Sequence, residues 1–437
     1  MLERTGVGRA DVRGYLAVVL AIVATLVAYR GLREHTHTGT AAAVAILLVA
    51  RAVVLGRTFR ATHVGWSALL LVLAYAAGHV GHATWSWLAI AGAGAVAGLP
   101  GRPPPPAGAG DRRHVWALVD RTGGDALAPF VLRSDKSYVF SEDRHAAVGY
   151  RVMLGTAVAS GDPVGDPASF RSAVDEFVSH AESNGWRVAV LAASERSMRL
   201  WRRHGLRGVP IGRDVTVDVT AFDLVGRRYR NLRQAVQRTR NAGVTTEIVV
   251  ERELTDDLRG ELADVMRAAG KGGGDRGFAM ILDRPLSGVH PGTFIAFARS
   301  ASGEVVAFQR YATADGGREL SLDVPWRRPG APNGVDERLI ADVVAWGAGR
   351  GARTVSLAFA AFPELFELEQ RNLLQGTAYR AVHLLDRLIK VESLYRFVRK
   401  FHALGGRRYV ALRPVQVVLV ALAALLLEFG ARRSKAG

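Results

Sequence analysis

Arg187-Val188-Ala189-Val190-Leu191, with the Ser194-Glu195-Arg196-Ser197-Met198-Arg199-Leu200-Trp201-Arg202-Arg203-His204-Gly205-Leu206 that follows it, reads as a buried strand feeding a short helix. Gly205 stands where a left-handed residue would end that helix. A strand that runs straight into a helix is the repeating unit of an α/β fold, and the flanking chain continues the pattern. Ser137 to Phe140, Val215 to Val219, Thr246 to Val250, Val305 to Tyr311 and Thr354 to Phe359 are short β-branched or aromatic runs. Ser169 to Asn184, Asp256 to Ala269 and Glu337 to Arg350 carry helical periodicity between them. The α/β region from about Asp111 to Pro414 is long enough for two lobes, read as 115–220 and 221–414.

Upstream the pattern changes. Gly14 to Tyr29, Gly39 to Leu55, Val64 to Val80 and Ala83 to Leu99 are apolar on every side, each near the roughly 17 residues that a spanning helix needs. Arg13, Arg30, Arg57 and Arg60 flank them, and Trp66, Trp85 and Trp87 fall near their ends, as interfacial anchors do. Residues 1–100 therefore read as an all-α transmembrane region of about four helices. Arg4, Arg9, Arg13, Arg57, Arg60, Arg102, Arg112 and Arg113 bias its loops toward a cytoplasmic N terminus and a cytoplasmic main domain, in a multi-pass protein of the cell membrane. Pro103-Pro104-Pro105-Pro106 marks residues 101–114 as a stiff, exposed linker. The apolar run Val415 to Phe429 reads best as a membrane-contacting helix, with its tail over 415–437; a fifth span and a docking helix are the alternatives.

The composition agrees with this division. Of 437 residues 49% are hydrophobic, and the mean hydropathy is +0.11, high for a purely soluble chain. The absence of cysteine excludes disulfides, thiolate nucleophiles and Cys-type zinc sites. The formal charge is +17, and all but five of the 57 basic residues are arginine, which suits phosphate partners in nucleic acid or anionic lipid. Arginine-rich coding bias explains the same excess equally well.

Few catalytic motifs are present. Gly272-Gly273-Gly274-Asp275-Arg276-Gly277 has dinucleotide-loop spacing but follows a helix instead of a strand, so it reads as a loop. Gly92-Ala93-Gly94-Ala95-Val96-Ala97 lies inside an apolar span and reads as chance or helix packing. His35, His37, His79 and His82 read as ordinary loop histidines. No nucleophile elbow, phosphate loop or H-E-x-x-H occurs. The densest basic run, Arg227 to Arg240, holds no acid, and helical spacing groups Arg230, Arg233 and Arg238 near one face. Such a face is either solvated surface or a phosphate site.

The Val188 to Leu206 unit resembles the late strand–helix signature of the GNAT acyltransferase superfamily, although Arg207 occupies the last small position of its pyrophosphate loop. More specifically, seven segments in order resemble the C-terminal domain of the aminoacyl-phosphatidylglycerol synthases, the phosphatidylglycerol lysyltransferases. They are Gly161-Asp162-Pro163-Val164-Gly165-Asp166, Leu232 to Val236, Arg276 to Met280, Ser321-Leu322-Asp323, Pro332-Asn333-Gly334, Val355 to Ala360 and Glu392-Ser393-Leu394-Tyr395-Arg396. The resemblance implies two tandem GNAT-like lobes around a passage, after a membrane bundle. It implies transfer of lysine or another amino acid from aminoacyl-tRNA to phosphatidylglycerol in the membrane, with no cofactor and no metal. Asp323 is then the candidate proton acceptor or ammonium holder and Asn333 the candidate oxyanion donor, with helix capping as Asn333's other reading. Glu392 and Tyr395 are candidates for the aminoacyl group, and Ser356 is a further candidate for substrate binding. Arg230, Arg233, Arg238, Arg396, Lys400 and Arg408 are candidates for phosphates. The chain departs from the family at Trp326, where arginine is usual, and at Ala358, where asparagine is usual. Two other readings stay open on the same residues: a catalytically diverged lipid-binding scaffold, and aminoacyl transfer to a cell-wall precursor.

Overall fold

The computed structural model describes residues 45–46, 61–80, 83–97, 100–270, 279–361, 397, 399–416, 420, 422–424 and 426–427. The expected spans over Gly14 to Tyr29 and Gly39 to Leu55, the Gly272 to Gly277 loop, and Glu392, Tyr395 and Arg396 lie outside them, apart from Ala45 and Ile46.

Helices α1 (Ala61–His79) and α2 (Ala83–Ala97) coincide with the third and fourth apolar stretches. They pack on each other, and the Ser67 hydroxyl donates to the Ala93 carbonyl at 2.8 Å. Gly94 accepts the backbone of Ala45, whose Cα would lie 2.5 Å from any Cβ placed there, so helix packing is the reason for that glycine. Their outer surface is apolar: Trp66, Leu71, Val72, Leu73 and Trp85 are exposed. No described helix is long and apolar enough to cross a membrane.

The linker differs from its expectation. Helix α3 (Ala109–Val119) begins inside it and buries Val115, Leu118 and Val119. The prolines before it are strapped to the next unit. The Trp186 indole donates to Gly101 O at 2.8 Å, the Ser137 hydroxyl to Pro105 O at 3.0 Å, and Ala107 N to Lys136 O at 2.9 Å.

The remainder is one sheet with helices on both faces. In chain order come β1 (Ser137–Phe140), β2 (Ala146–Met153), β3 (Thr156–Ser160), the two-residue β4 (Val164–Gly165), α4 (Phe170–Ser183), β5 (Arg187–Ser194), α5 (Met198–Arg202) and β6 (Arg207–Asp218). Then follow α6 (Arg230–Asn241), β7 (Thr245–Val250), α7 (Asp256–Ala268), β8 (Thr293–Arg299), β9 (Val305–Ala314), β10 (Glu319–Arg327), α8 (Val335–Ala348), β11 (Thr354–Ala361) and β12 (Leu404–Leu412). The strand order is β1-β2-β3-β5-β12-β6-β11-β10-β9-β8-β7, with β4 beside β2. Each half repeats one device: antiparallel strands, then a helix crossing to a parallel strand. These are β3 to β5 through α4, and β10 to β11 through α8. The sequence boundary at residue 220 does not divide the sheet, because β12 returns to lie between β5 and β6.

In the second half alternate residues face opposite layers, as the strand pleat requires. Phe294, Tyr311, Leu320, Leu322 and Val355 pack under α6 and α8. Ile295, Phe297, Phe308 and Trp326 pack under α7. The C-terminal stretch, expected to contact membrane, docks in part: Val420 and Leu427 are buried in the same cluster as Val115 and Leu118 of α3, while Leu422 and Leu426 are exposed.

Candidate functional site

Strand β10 supplies the first candidate. Its register on β9 shifts between Leu322 and Val324, so Asp323 sits at an irregularity and turns away from the α8 face. Asp323 Oδ1 accepts Leu282 N at 2.8 Å, and Oδ2 accepts Arg310 Nη1 at 3.0 Å. Arg310 Nε in turn donates to Glu251 Oε2 at 2.9 Å. None of the three side chains touches solvent. Burial lifts Asp323 to about 6, against the pull of the Arg310 charge, the Leu282 N–H and His290. Asp283, next in the same loop, is also pushed up by burial, but hydrogen bonds from His290 and Ser134 bring it well below the usual carboxylate range.

That loop ties the second half to the first. Ser134 N donates to Asp283 Oδ1 at 3.1 Å, Arg133 Nη1 to Ile281 O at 3.1 Å, and the Ser321 hydroxyl to Ala126 O at 2.7 Å. The segment Asp125 to Ser134 thus runs along the sheet face that carries Asp323, forming a seam between the halves.

At the middle of the sheet the seam holds a second buried cluster. Arg408 of β12 donates Nε to both oxygens of Asp214 at 2.9 and 2.8 Å, Nη2 to Asp125 Oδ1 at 2.7 Å, and Nη1 to Ala192 O at 3.2 Å. Asp162, from the Gly161-Asp162-Pro163 turn, accepts Ser194 N at 2.8 Å and the Ser197 hydroxyl at 2.6 Å. Burial raises Asp162 and Asp214 above the ordinary carboxylate range despite Arg408. It works on Asp125 too, yet there Arg408 wins and the group lies below its usual value. Burial disfavours the Arg408 charge, but Asp125 and Asp214 outweigh it and hold the proton more firmly than usual. A guanidinium so enclosed is a junction clamp, which corrects the expectation that Arg408 neutralises substrate phosphates.

The other candidates divide between the two faces. Ser356 is buried in β11 opposite Ser321 and Thr216, with its neighbours Val355 and Leu357 in the α8 core, so it belongs to the seam with Asp323. Asn333 is exposed at the head of α8, on the far face. Gly334, at φ 99°, is the N-cap with no side-chain cap bond, which corrects the capping reading of Asn333. Gly334 also lies against the Ala235 backbone, carrying Asn333 beside α6. The sheet therefore separates the two residues expected to act together in catalysis. Helix α6 buries Leu232, Ala235, Val236 and Thr239 and exposes Arg230, Arg233 and Arg238. Among the described residues none of these arginines pairs with a carboxylate; Arg233 donates to Leu224 O at 2.7 Å and Gly226 O at 3.1 Å. Lys400 pairs with Glu337 at 2.8 Å, and Arg228 donates to His402 O at 2.8 Å, so 400–402 joins the same basic end.

Trp326 points into the α7 core, stacked on Phe308 with centroids 4.8 Å apart, and takes no place beside Asp323. Arg327 and Arg328 are engaged by Asp336 and Glu304. Residues that sequence reading missed are Arg310, Glu251, Asp283, Asp125 and Asp214. Strand pairing brings them together from distant segments, without a local spacing to betray them. The described residues hold no group of three or more side chains suited to a metal.

Comparison with known proteins adds the following. The family model described as "Phosphatidylglycerol lysyltransferase, C-terminal" matches residues 116–412, both halves of the sheet. The chain is 48% identical over 397 residues to the MprF-like domain protein Rv1619 of Mycobacterium tuberculosis, covering 89% of this chain and 81% of that protein. It is 31% identical over 313 residues to the lysylphosphatidylglycerol biosynthesis bifunctional protein LysX of Mycobacterium marinum, covering 70% of this chain and only 28% of LysX. Among solved structures, L-PGS from Bacillus licheniformis superposes with a TM-score of 0.60 at 22% identity, over 72% of this chain and 96% of that one. A C-terminal domain from Agrobacterium fabrum gives 0.63 at 24%, over 74% and 99%. At these identities the two structures speak for the fold.

Proposed function

The chain belongs to the phosphatidylglycerol lysyltransferase C-terminal family, and from that premise we propose that it moves an aminoacyl group, lysyl or another, from aminoacyl-tRNA to phosphatidylglycerol. The observation that carries this reading is the family match across the whole sheet. The family's activity comes to this chain as a proposal, since the chain spans about a quarter of the LysX relative.

The chemistry is an exchange of esters. A glycerol hydroxyl attacks the aminoacyl carbonyl, a new C–O bond forms, the bond to the tRNA ribose oxygen breaks, and the glycerol proton ends on that oxygen. The protein must supply positioning, a proton acceptor and charge stabilisation. Asp323, lifted to about 6, is ionised yet basic near neutral pH, as a general base should be. The arginines of α6, with no carboxylate partner among the described residues, suit the phosphates of tRNA or of anionic lipid. The exposed Trp66, Leu71, Val72, Leu73 and Trp85 support a membrane-embedded N-terminal region, and the arginines that flank it favour a cytoplasmic catalytic part that meets charged tRNA. The repeated antiparallel-then-crossover device supports tandem GNAT-like lobes.

A second reading, a lipid-binding scaffold without turnover, is favoured by one observation: both Asp323 oxygens are already engaged. Lipid extracts of cells with and without the gene separate the two. Aminoacyl-phosphatidylglycerol that appears only with the intact gene supports transfer; identical lipid profiles under strong expression support the scaffold.

A further inference from the structure

Asp323 has a cation beside it, and that cation is itself braced. Arg310 stands on β9 opposite Val324, and the register shift at Asp323 turns the carboxylate onto its face. Its Nη1 serves Asp323 Oδ2 at 3.0 Å and Asp283 O at 3.1 Å, while Nε is held by Glu251 Oε2 at 2.9 Å. Glu251 begins the 3-10 turn directly after β7, so its place is fixed by backbone structure. The planar fork is thereby locked in direction as well as position.

Among the described residues, Arg310 Nη2 and Glu251 Oε1 are buried without a hydrogen-bond partner. Trp326, Arg327 and Arg328, the nearby residues of β10 and its end, are committed to the α7 core, Asp336 and Glu304. Arg310 is thus the guanidinium that the fold commits to Asp323.

We propose that Arg310, braced by Glu251, is the positioning residue that aims and holds the Asp323 carboxylate for the transfer step; this rests on the proposed function. Among the described residues the charged groups around Asp323 are Arg310 from β9, Glu251 from the turn after β7, Asp283 and His290 from the loop before β8, and Arg133, which reaches Ile281 O of that loop from the seam segment; α7 presents Leu262 and Val265 to this layer. Arg310 draws Asp323 down against the push of burial. Removing the Arg310 charge therefore raises Asp323 further. Removing the Glu251 charge, which now shares Arg310 with Asp323, leaves the guanidinium to Asp323 alone and lowers it.

The test uses the full chain in phosphatidylglycerol vesicles, as Arg310→Gln, Arg310→Lys and Glu251→Gln, each with and without Asp323→Asn. Two profiles are followed across pH 4 to 8: the acid limb of kcat/KM, and the melting-temperature difference that Asp323→Asn produces. The second locates the Asp323 titration without any turnover. The expected result is opposite movement: Arg310→Gln shifts both profiles up by about one pH unit or more, Glu251→Gln shifts them down, and Arg310→Lys keeps them near wild type. Arg310→Gln is the variant most exposed to misfolding, and Glu251→Gln carries the opposite-sign prediction without it. A purely structural Arg310 lowers melting equally at every pH and moves neither profile, which overturns the proposal. Moved melting profiles in a wild type that transfers nothing would overturn the proposed function and leave Arg310 as the group that holds Asp323.

Discussion

Asp323→Asn keeps the size of the side chain and its place on Leu282 N, yet removes charge and basicity. If Asp323 accepts the glycerol proton, transfer falls by roughly 10²-fold or more while the protein stays folded; a folded variant at the wild-type rate would remove Asp323 from the mechanism. Its raised value also has a linkage sign. A carboxyl at about 6 in the folded chain against 3.8 as its ordinary value contributes stability below pH 4 that is lost as pH rises toward 6. Asp323→Asn should therefore gain on wild type across that window, read as melting temperature against pH. Trp326 sits at the opposite pole. Trp326→Ala should cost about 3–5 kcal/mol in denaturant unfolding, as large aromatic truncations in cores do, with transfer per folded molecule little changed; a selective loss of transfer would give Trp326 a substrate role. Asp323 was legible in the sequence because Ser321-Leu322-Asp323 is a local pattern. Arg310 and Glu251 were not, because the carboxylate lies 59 residues from the guanidinium that it braces.

Helix α6 is an amphipathic element whose buried row is Leu232, Ala235, Val236 and Thr239. Replacing Arg230, Arg233 and Arg238 together by Gln should leave stability within about 0.5 kcal/mol, since the face is exposed. Binding to tRNA or anionic vesicles should weaken, and the slope of log affinity against log salt should fall by about one for each phosphate that the helix no longer neutralises. An unchanged slope would return the helix to plain solvated surface. The strands legible in the sequence are those rich in valine, threonine and aromatics, such as β1 and β7. Strands β2 and β3 escaped because Ala146-Ala147-Val148-Gly149 and Thr156-Ala157-Val158-Ala159 are built from small residues of weak strand preference. Strand β12 escaped because Gly405-Gly406-Arg407-Arg408 reads as a polar loop until β5 and β6 enclose it. Helix α3 was masked by the proline run ahead of it, which read as a stiff, exposed linker through residue 114 and hid the helix that starts at Ala109.

Among the described residues, the two halves of the sheet are tied along one seam. Arg408 joins β12 to β6, to the Ala192 carbonyl of β5 and to the Asp125 segment. Arg408→Met strands Asp125 and Asp214 without their cation, so unfolding should become easier by about 3–5 kcal/mol, measured by denaturant titration; a change under about 1 kcal/mol would mean that the clamp is incidental. The two-lobe division read from sequence sets a boundary at residue 220, which the continuous sheet crosses, because only tertiary pairing places β12 between β5 and β6. The proposed topology puts this sheet on the cytoplasmic side, where charged tRNA is found. The most direct measurement is transfer itself: full-length protein in phosphatidylglycerol vesicles, supplied with lysyl-tRNA carrying labelled lysine, and the lipid then analysed by mass spectrometry. The account predicts labelled lysyl-phosphatidylglycerol, or the corresponding ester with another charged tRNA, at a rate that Asp323→Asn cuts by about 10²-fold. Folded wild-type protein that labels no lipid with any charged tRNA would contradict it.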